Sequence, residues 1–195
     1  MGLPAKKDDR VYRYGDYRTW SDDERWELID GVAYDMTPAP GRIHQRMLVE
    51  LTLQFGDFLR DKPCELYVAP FDVMLPVGDE VDDDVETVVQ PDLLIVCDKS
   101  KSTERGIRGA PDLVVEILSP STAKKDLREK LRAYERAGVR EYWVIQPTDH
   151  TLMVFRLDER GQYGRPEIFG VGDQAPVGVL DALTIDLQRV FAGEA

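Results

Sequence analysis

Residues 109–122 read GAPDLVVEILSPST. From Pro111 to Leu118 every side chain is apolar except Asp112 and Glu116. A nearly continuous apolar run of this length fits a strand covered on both faces. Ser119-Pro120-Ser121 ends the strand and caps a helix predicted over Thr122–Ala137. Gly138 stops that helix. A second short apolar strand follows at Glu141–Ile145, EYWVI. A covered strand feeding a helix and then another strand predicts an α/β architecture, a mixed sheet with helices against its faces.

Upstream, Val88–Cys97 contains VVQPDLLIVC and predicts another strand of the same covered kind. Lys99–Gly109 between them is a polar loop. Leu66–Leu75 is extended, with Pro70 as a break or bulge. His44–Arg60 predicts a helix, since Met47, Leu48, Leu51, Phe55, Phe58 and Leu59 recur at helical spacing. WELIDGVAYDM at 26–36 predicts a hairpin, with Asp30-Gly31 as its two-residue turn and a loop at 37–42 after it. Asp16–Arg25 predicts a short helix with Ser21 as a cap, after a polar lead. Downstream, Thr151–Leu157 and Gln162–Phe169 predict antiparallel strands, and Leu183–Phe191 a last strand and turn.

From residue 44 the order is therefore helix, strand, strand, strand, helix, strand. One domain is expected over 1–195, with a core at about 44–147, a lead and hairpin at 16–36, and a C-terminal β extension at 150–191. The extension, rich in Val, Leu and Phe, is expected to cover a sheet edge or to mediate a homodimer.

Composition narrows the class. Hydrophobic residues make up 43% and charged residues 32%, a globular balance. No apolar run approaches the roughly 20 residues of a membrane span, and Met1–Arg10 lacks a signal-peptide core. A cytoplasmic protein is expected. Cys64 and Cys97 stand far apart in sequence and are expected to be free thiols, which suits a reducing compartment. The net charge is −12, an unfavourable sign for a polyanion partner. The acids cluster at Asp79–Glu86, read as a solvated loop. The bases cluster later, from Lys124 through Lys125, Arg128, Lys130, Arg132 and Arg136 to Arg140.

The chemistry lies in isolated charges. Asp92 and Glu116 each sit in an apolar strand, where a carboxylate is costly unless it is paired or binds a metal. If the strands are neighbours, a hard cation such as magnesium, manganese or calcium can bridge the two carboxylates. The other reading is that each forms a structural ion pair. Asp126, Lys130 and Tyr134 follow at i, i+4 and i+8, on one helical face that can bring Lys130 to the carboxylates. Asp112 is four residues from Glu116, roughly 13 Å along a strand, and is assigned to strand entry.

Together, WELIDG (26–31), Pro38 with His44 after it, QPDLLIV (90–96), GAPDLVVEILSPST, Asp126, Lys130, Tyr134 and GVREYWVIQP (138–147) resemble the PD-(D/E)XK nuclease superfamily. Within it they resemble the Uma-two family of restriction-endonuclease-like proteins, over most of residues 16–157. The resemblance implies a restriction-endonuclease-like core in which Asp92, Glu116 and the carbonyl of Ile117 hold Mg²⁺ or Mn²⁺. It implies a catalytic role for Lys130. The usual motif lysine, two residues after the acid, is replaced here by Leu118, and the family takes its lysine from the next helix. Glu27 matches a further acidic position, able to hold a metal or an outer water. His44 matches a position able to contact phosphate or assist proton transfer. The implied activity is hydrolysis of DNA phosphodiesters. Two other readings are a non-catalytic binding or regulatory module on the same fold, and an enzyme acting on a smaller substrate. A basic groove around Asp92 would favour duplex DNA, and a narrow or acidic rim the alternatives.

Overall fold

In a computed structural model of the chain, residues 7–21, 25–36, 39–120 and 123–193 are described. The strands are β1 (Trp26–Ile29), β2 (Val32–Asp35), β3 (Glu65–Val68), β4 (Asp72–Met74), β5 (Val88–Val89), β6 (Leu93–Val96), β7 (Ser102–Thr103), β8 (Gly106–Arg108), β9 (Leu113–Ile117), β10 (Glu141–Gln146), β11 (Thr151–Arg156), β12 (Glu167–Phe169), β13 (Gln174–Pro176) and β14 (Thr184–Asp186). They form two six-stranded sheets, ordered β2-β1-β5-β4-β8-β7 and β12-β11-β10-β9-β6-β3, and the separate pair β13-β14. The second sheet is mixed: β6 runs antiparallel to both β3 and β9, while β9 and β10 run parallel across the 123–137 helix. Its order of helix, three strands, helix and strand is the core predicted from residue 44.

Alternation along the second sheet divides the core. Leu93, Ile95, Leu113, Val115 and Ile117 face Met47, Leu51 and Phe55 of the Arg42–Leu59 helix. The intervening Leu94, Val96 and Val114 face Val73, Val89 and Ile107 of the first sheet, with Ala133 and Tyr134 from the 123–137 helix. The C-terminal segment packs into the first of these layers through Ala175, Leu180, Ile185 and Leu187. The β1–β2 hairpin turns through Asp30 and Gly31, whose φ angles of 50° and 74° are the left-handed values of a tight two-residue turn.

Several expectations are corrected. Val88–Cys97 is not one strand. Pro91 has no N–H to give to a ladder, so the chain leaves the first sheet after β5 and joins the second at β6. The opposite crossing, between β3 and β4, runs through the cis Ala69–Pro70 peptide. Both crossings lie at one end of the second sheet. The loop predicted at 99–109 contains β7 and β8, and β8 runs parallel to β4. The first helix is Tyr14–Tyr17, and part of the stretch predicted there lies outside the described residues, as do Pro38 and the cap residue Ser121.

The acidic run is exposed but paired. Asp82, Asp83 and Asp84 meet Arg108, Arg18 and Arg13 at 2.7, 2.9 and 3.0 Å. The cysteines are not free thiols. β3 and β6 pair with Glu65 opposite Val96, so Cys64 and Cys97 are the next opposed pair, and they form a disulfide. Strand register overrides their separation of 33 residues, and the thiol argument for a reducing compartment loses its support. Among the described residues no helix is long and apolar enough to cross a membrane.

Candidate active site

The β6–β9 register, Leu93 opposite Val115, makes Asp92 and Glu116 the next pair outward. Both have the parity of Leu94 and Val114, so they lie on the face turned toward the first sheet. Both line a cavity of about 840 Å³ at the crossover end of the sheet. Ile117, His44, Lys125, Asp126 and Lys130 line it too.

Asp92 Oδ2 accepts a hydrogen bond from the Ile117 N–H at 2.7 Å and lies 3.0 Å from His44 Nε2. A carboxylate partner selects the tautomer with the proton on Nε2. His44 Nδ1 is then the acceptor nitrogen, and among the described residues it is buried without a partner. Asp112, by contrast, accepts from the Cys97 N–H and pairs with Arg140 at the far end of the strand, a strand-entry role.

Glu116 is buried, and its Oε1 accepts from Lys130 Nζ at 2.8 Å and from the Tyr134 hydroxyl at 2.9 Å. Burial pushes its carboxyl well above the ordinary range; the Lys130 ammonium opposes this, and Asp126, Asp92 and Glu27 reinforce it. Lys130 also reaches Glu27 Oε1 at 2.6 Å and Asp126 Oδ1 at 3.8 Å. Burial alone would favour its neutral form, but Glu116, Glu27 and Asp126 outweigh it and raise its pKa well above the ordinary lysine value. Lys130 is therefore a fixed ammonium, suited to donating hydrogen bonds and charge and unsuited to accepting a proton.

Glu27 lies behind this row on β1. It is fully buried, and its oxygens accept from Lys130, from Lys125 Nζ and, at 2.8 Å, from the Gln90 N–H. Burial would raise its pKa, but Lys125 and Lys130 overcome that and hold it at about 2. The structure thus places Glu27 as the anchor of two lysines, while Asp92, Glu116, Ile117, His44 and Lys130 share the cavity.

Lys125 is the site residue that the sequence reading passed over. It stands five positions before Lys130, which puts the two on different faces of a regular α-helix. Here Asp126–Lys130 is wound as a π-turn. Its i→i+5 bonding brings residues five apart into line, and such turns recur at functional sites. No spacing pattern announces that turn. Arg25 and Gln90, joined by a 3.3 Å hydrogen bond on the cavity wall, were also missed. Arg25 ends the predicted Asp16–Arg25 helix, two residues before Glu27 of the hairpin, and that adjacency is the one available signal.

Glu27, Glu116 and Asp126 surround the Lys130 ammonium, Glu27 also pairs with Lys125, and Asp92 stands beside Glu116 in the same cavity. Among the described residues no group of three or more His, Cys, Asp and Glu side chains is placed to hold a metal. Asp92 and Glu116 would supply two oxygen ligands, the kind of partial cage that suits Mg²⁺, which keeps several waters. The lining is no continuous basic groove: its lysines are paired with Glu27 and Glu116, and apolar Val49 and Leu53 line the same cavity.

The mixed α/β fold, with paired carboxylates at its crossover end, is nuclease-like. A solved structure described as a putative nuclease belonging to DUF820, from Anabaena variabilis, superposes with a TM-score of 0.73, covering 92% of this chain and 97% of that one at 17% identity. An uncharacterized Synechocystis protein, slr1290, is 24% identical over 151 residues, 76% of this chain and 75% of its own. The Uma2 family, described as putative restriction endonuclease, matches residues 14–188, and the chain belongs to that family.

Proposed function

We propose that this chain is a metal-dependent phosphodiesterase of the endonuclease type, acting on DNA. The observation that carries this reading is the Asp92–Glu116 pair, brought by strand register into one cavity in front of two buried lysines. Asp92, Glu116 and the Ile117 carbonyl would hold Mg²⁺ or Mn²⁺, which when bound supplies an activated water and neutralises phosphate charge. Lys130 stabilises the charge that develops on the phosphoryl oxygens, and as an ammonium it needs no reorganisation to do so. Tyr134 fixes the Glu116 carboxylate through its hydroxyl. Asp92 orients the His44 ring through Nε2. Glu27 positions both lysines.

The test is cleavage of plasmid and single-stranded DNA by the purified protein with Mg²⁺ or Mn²⁺, beside Asp92→Ala. Metal-dependent cleavage that Asp92→Ala lowers by about a thousandfold is expected, the scale on which loss of a principal electrostatic element acts. Cleavage surviving in Asp92→Ala at the wild-type rate would come from a contaminant or another site. One observation favours a second reading, a non-catalytic binding module: both carboxylates already have protein partners, Asp92 in Ile117 and His44, Glu116 in Lys130 and Tyr134. Calorimetry with Mn²⁺ separates the two, since the module would take up no metal dependent on Asp92.

A further inference from the structure

Part of the cavity lining is not used by the chemistry above. The Arg42–Leu59 helix buries Met47, Leu51 and Phe55 against the sheet. Val49 and Leu53 lie off that stripe, one turn apart, and are 55% and 52% exposed. They line the cavity mouth together with Val68, which is 38% exposed, and Pro70. Single exposed aliphatics are ordinary. Several gathered around one cavity beside a polar site are the usual make-up of a ligand pocket.

A double helix has nothing to place there. Its bases are stacked and paired inside, and its outer surface is phosphate, which gains nothing from aliphatic side chains and loses its hydration against them. A base taken out of the stack has an apolar face that does fit such a wall. A cavity of about 840 Å³ has the dimensions that enclose a small-molecule-sized unit. The cations agree with this. Arg13, Arg18, Arg108, Arg136 and Arg140 are all engaged in ion pairs within the chain. On the cavity wall, Lys125 and Lys130 are held by Glu27 and Glu116. Arg25 differs: its Nη2 donates to the side chain of Gln90, while its Nε is buried without a partner among the described residues. A guanidinium with an unused donor is equipped to take a phosphate oxygen.

We infer that the site takes its nucleic-acid substrate as an unpaired strand, with a base against the Val49–Leu53–Val68 wall and a backbone phosphate on Arg25. This rests on the phosphodiesterase reading for its substrate type but concerns binding, so the two are tested apart. The probe is a short fluorescein-labelled DNA strand, alone or annealed to its complement, titrated with the full chain in Ca²⁺ and followed by anisotropy. The single strand is expected to bind at least about tenfold more tightly than the duplex, as one additional stacked base implies. Val49→Ser/Leu53→Ser, at half-exposed positions, is expected to abolish that preference while its thermal melt stays at the wild-type temperature. Arg25→Gln is expected to weaken single-strand binding severalfold and to flatten its salt dependence.

Equal or tighter duplex binding overturns the inference, and so does binding of neither form. If duplex is cut and bound as well as the single strand, the hydrolase reading stands and this one falls. If the single strand is preferred, and the preference depends on Leu53, yet nothing is cut, this one stands and hydrolysis falls. If the Ser pair changes the molar mass in light scattering and leaves anisotropy unchanged, the face is a contact between copies and the inference is wrong.

Discussion

Replacing Glu27 by glutamine is expected to destabilise the protein by about 3–5 kcal/mol at neutral pH, the scale for removing one partner of a buried ion pair. The reason is the number of cations that depend on it. Lys125 and Lys130 are both fully buried, and Glu27 receives a hydrogen bond from each. Lys130 retains Glu116 and Asp126 when Glu27 is lost. Among the described residues Lys125 pairs with Glu27 alone, so the larger part of the penalty is expected to come from it. Acid provides an internal check. The Glu27 carboxyl ordinarily titrates at 4.5 and is held at about 2 in the folded protein. Its contribution is fully present above about pH 4.5 and is lost as pH falls toward 2, a loss of about 3 kcal/mol for a depression of this size. Urea midpoints of wild type and Glu27→Gln should therefore differ widely at pH 7 and converge as pH drops from about 5 to about 2. A gap that stays constant across that window would show that Glu27 acts through packing and not through its charge.

The same cluster shows what the sequence could and could not disclose. Asp92 and Glu116 stood out because each interrupts an apolar strand, and their pairing needed only that the strands be neighbours. Lys130 stood out by its spacing from Asp126 and Tyr134. These are local patterns, and a single chain displays them. The crossover at Gln90–Asp92 is different. QPD looks like the middle of a strand, and only the partner strands reveal that residues before and after Pro91 belong to different sheets. That crossover is also what sets Asp92 at the sheet's end and turns the Gln90 N–H toward Glu27. Lys125 was hidden by a π-turn, and the Cys64–Cys97 bond by strand register, both consequences of packing that no residue type signals. Composition makes the acidic run a solvated loop, and its partners come from two other places in the chain, Arg13 and Arg18 at the ends of the first helix and Arg108 on β8.

Lys130→Met is expected to lower turnover by about a hundredfold or more, the scale of a lost electrostatic contact in the transition state, without weakening metal binding. Lys130 donates to Glu116 Oε1, one of the two carboxylates proposed to hold the metal. Removing its ammonium frees that oxygen and takes a positive charge away, so Mn²⁺ affinity measured by calorimetry should be unchanged or higher. Turnover should fall because a fixed positive charge beside the reacting phosphate has gone. Methionine, unbranched and adaptable, fills most of the volume and keeps the cavity from collapsing. Lys130→Arg should fare no better. Nζ is held between Glu27 at 2.6 Å and Glu116 at 2.8 Å, a space fitted to a compact ammonium and not to a planar guanidinium. The split between kcat and metal affinity is what decides the role. If both fall together in Lys130→Met, the lysine serves only to hold Glu116 in place. If neither falls, catalysis does not involve this lysine, and its place among Glu27, Glu116 and Asp126 is purely structural.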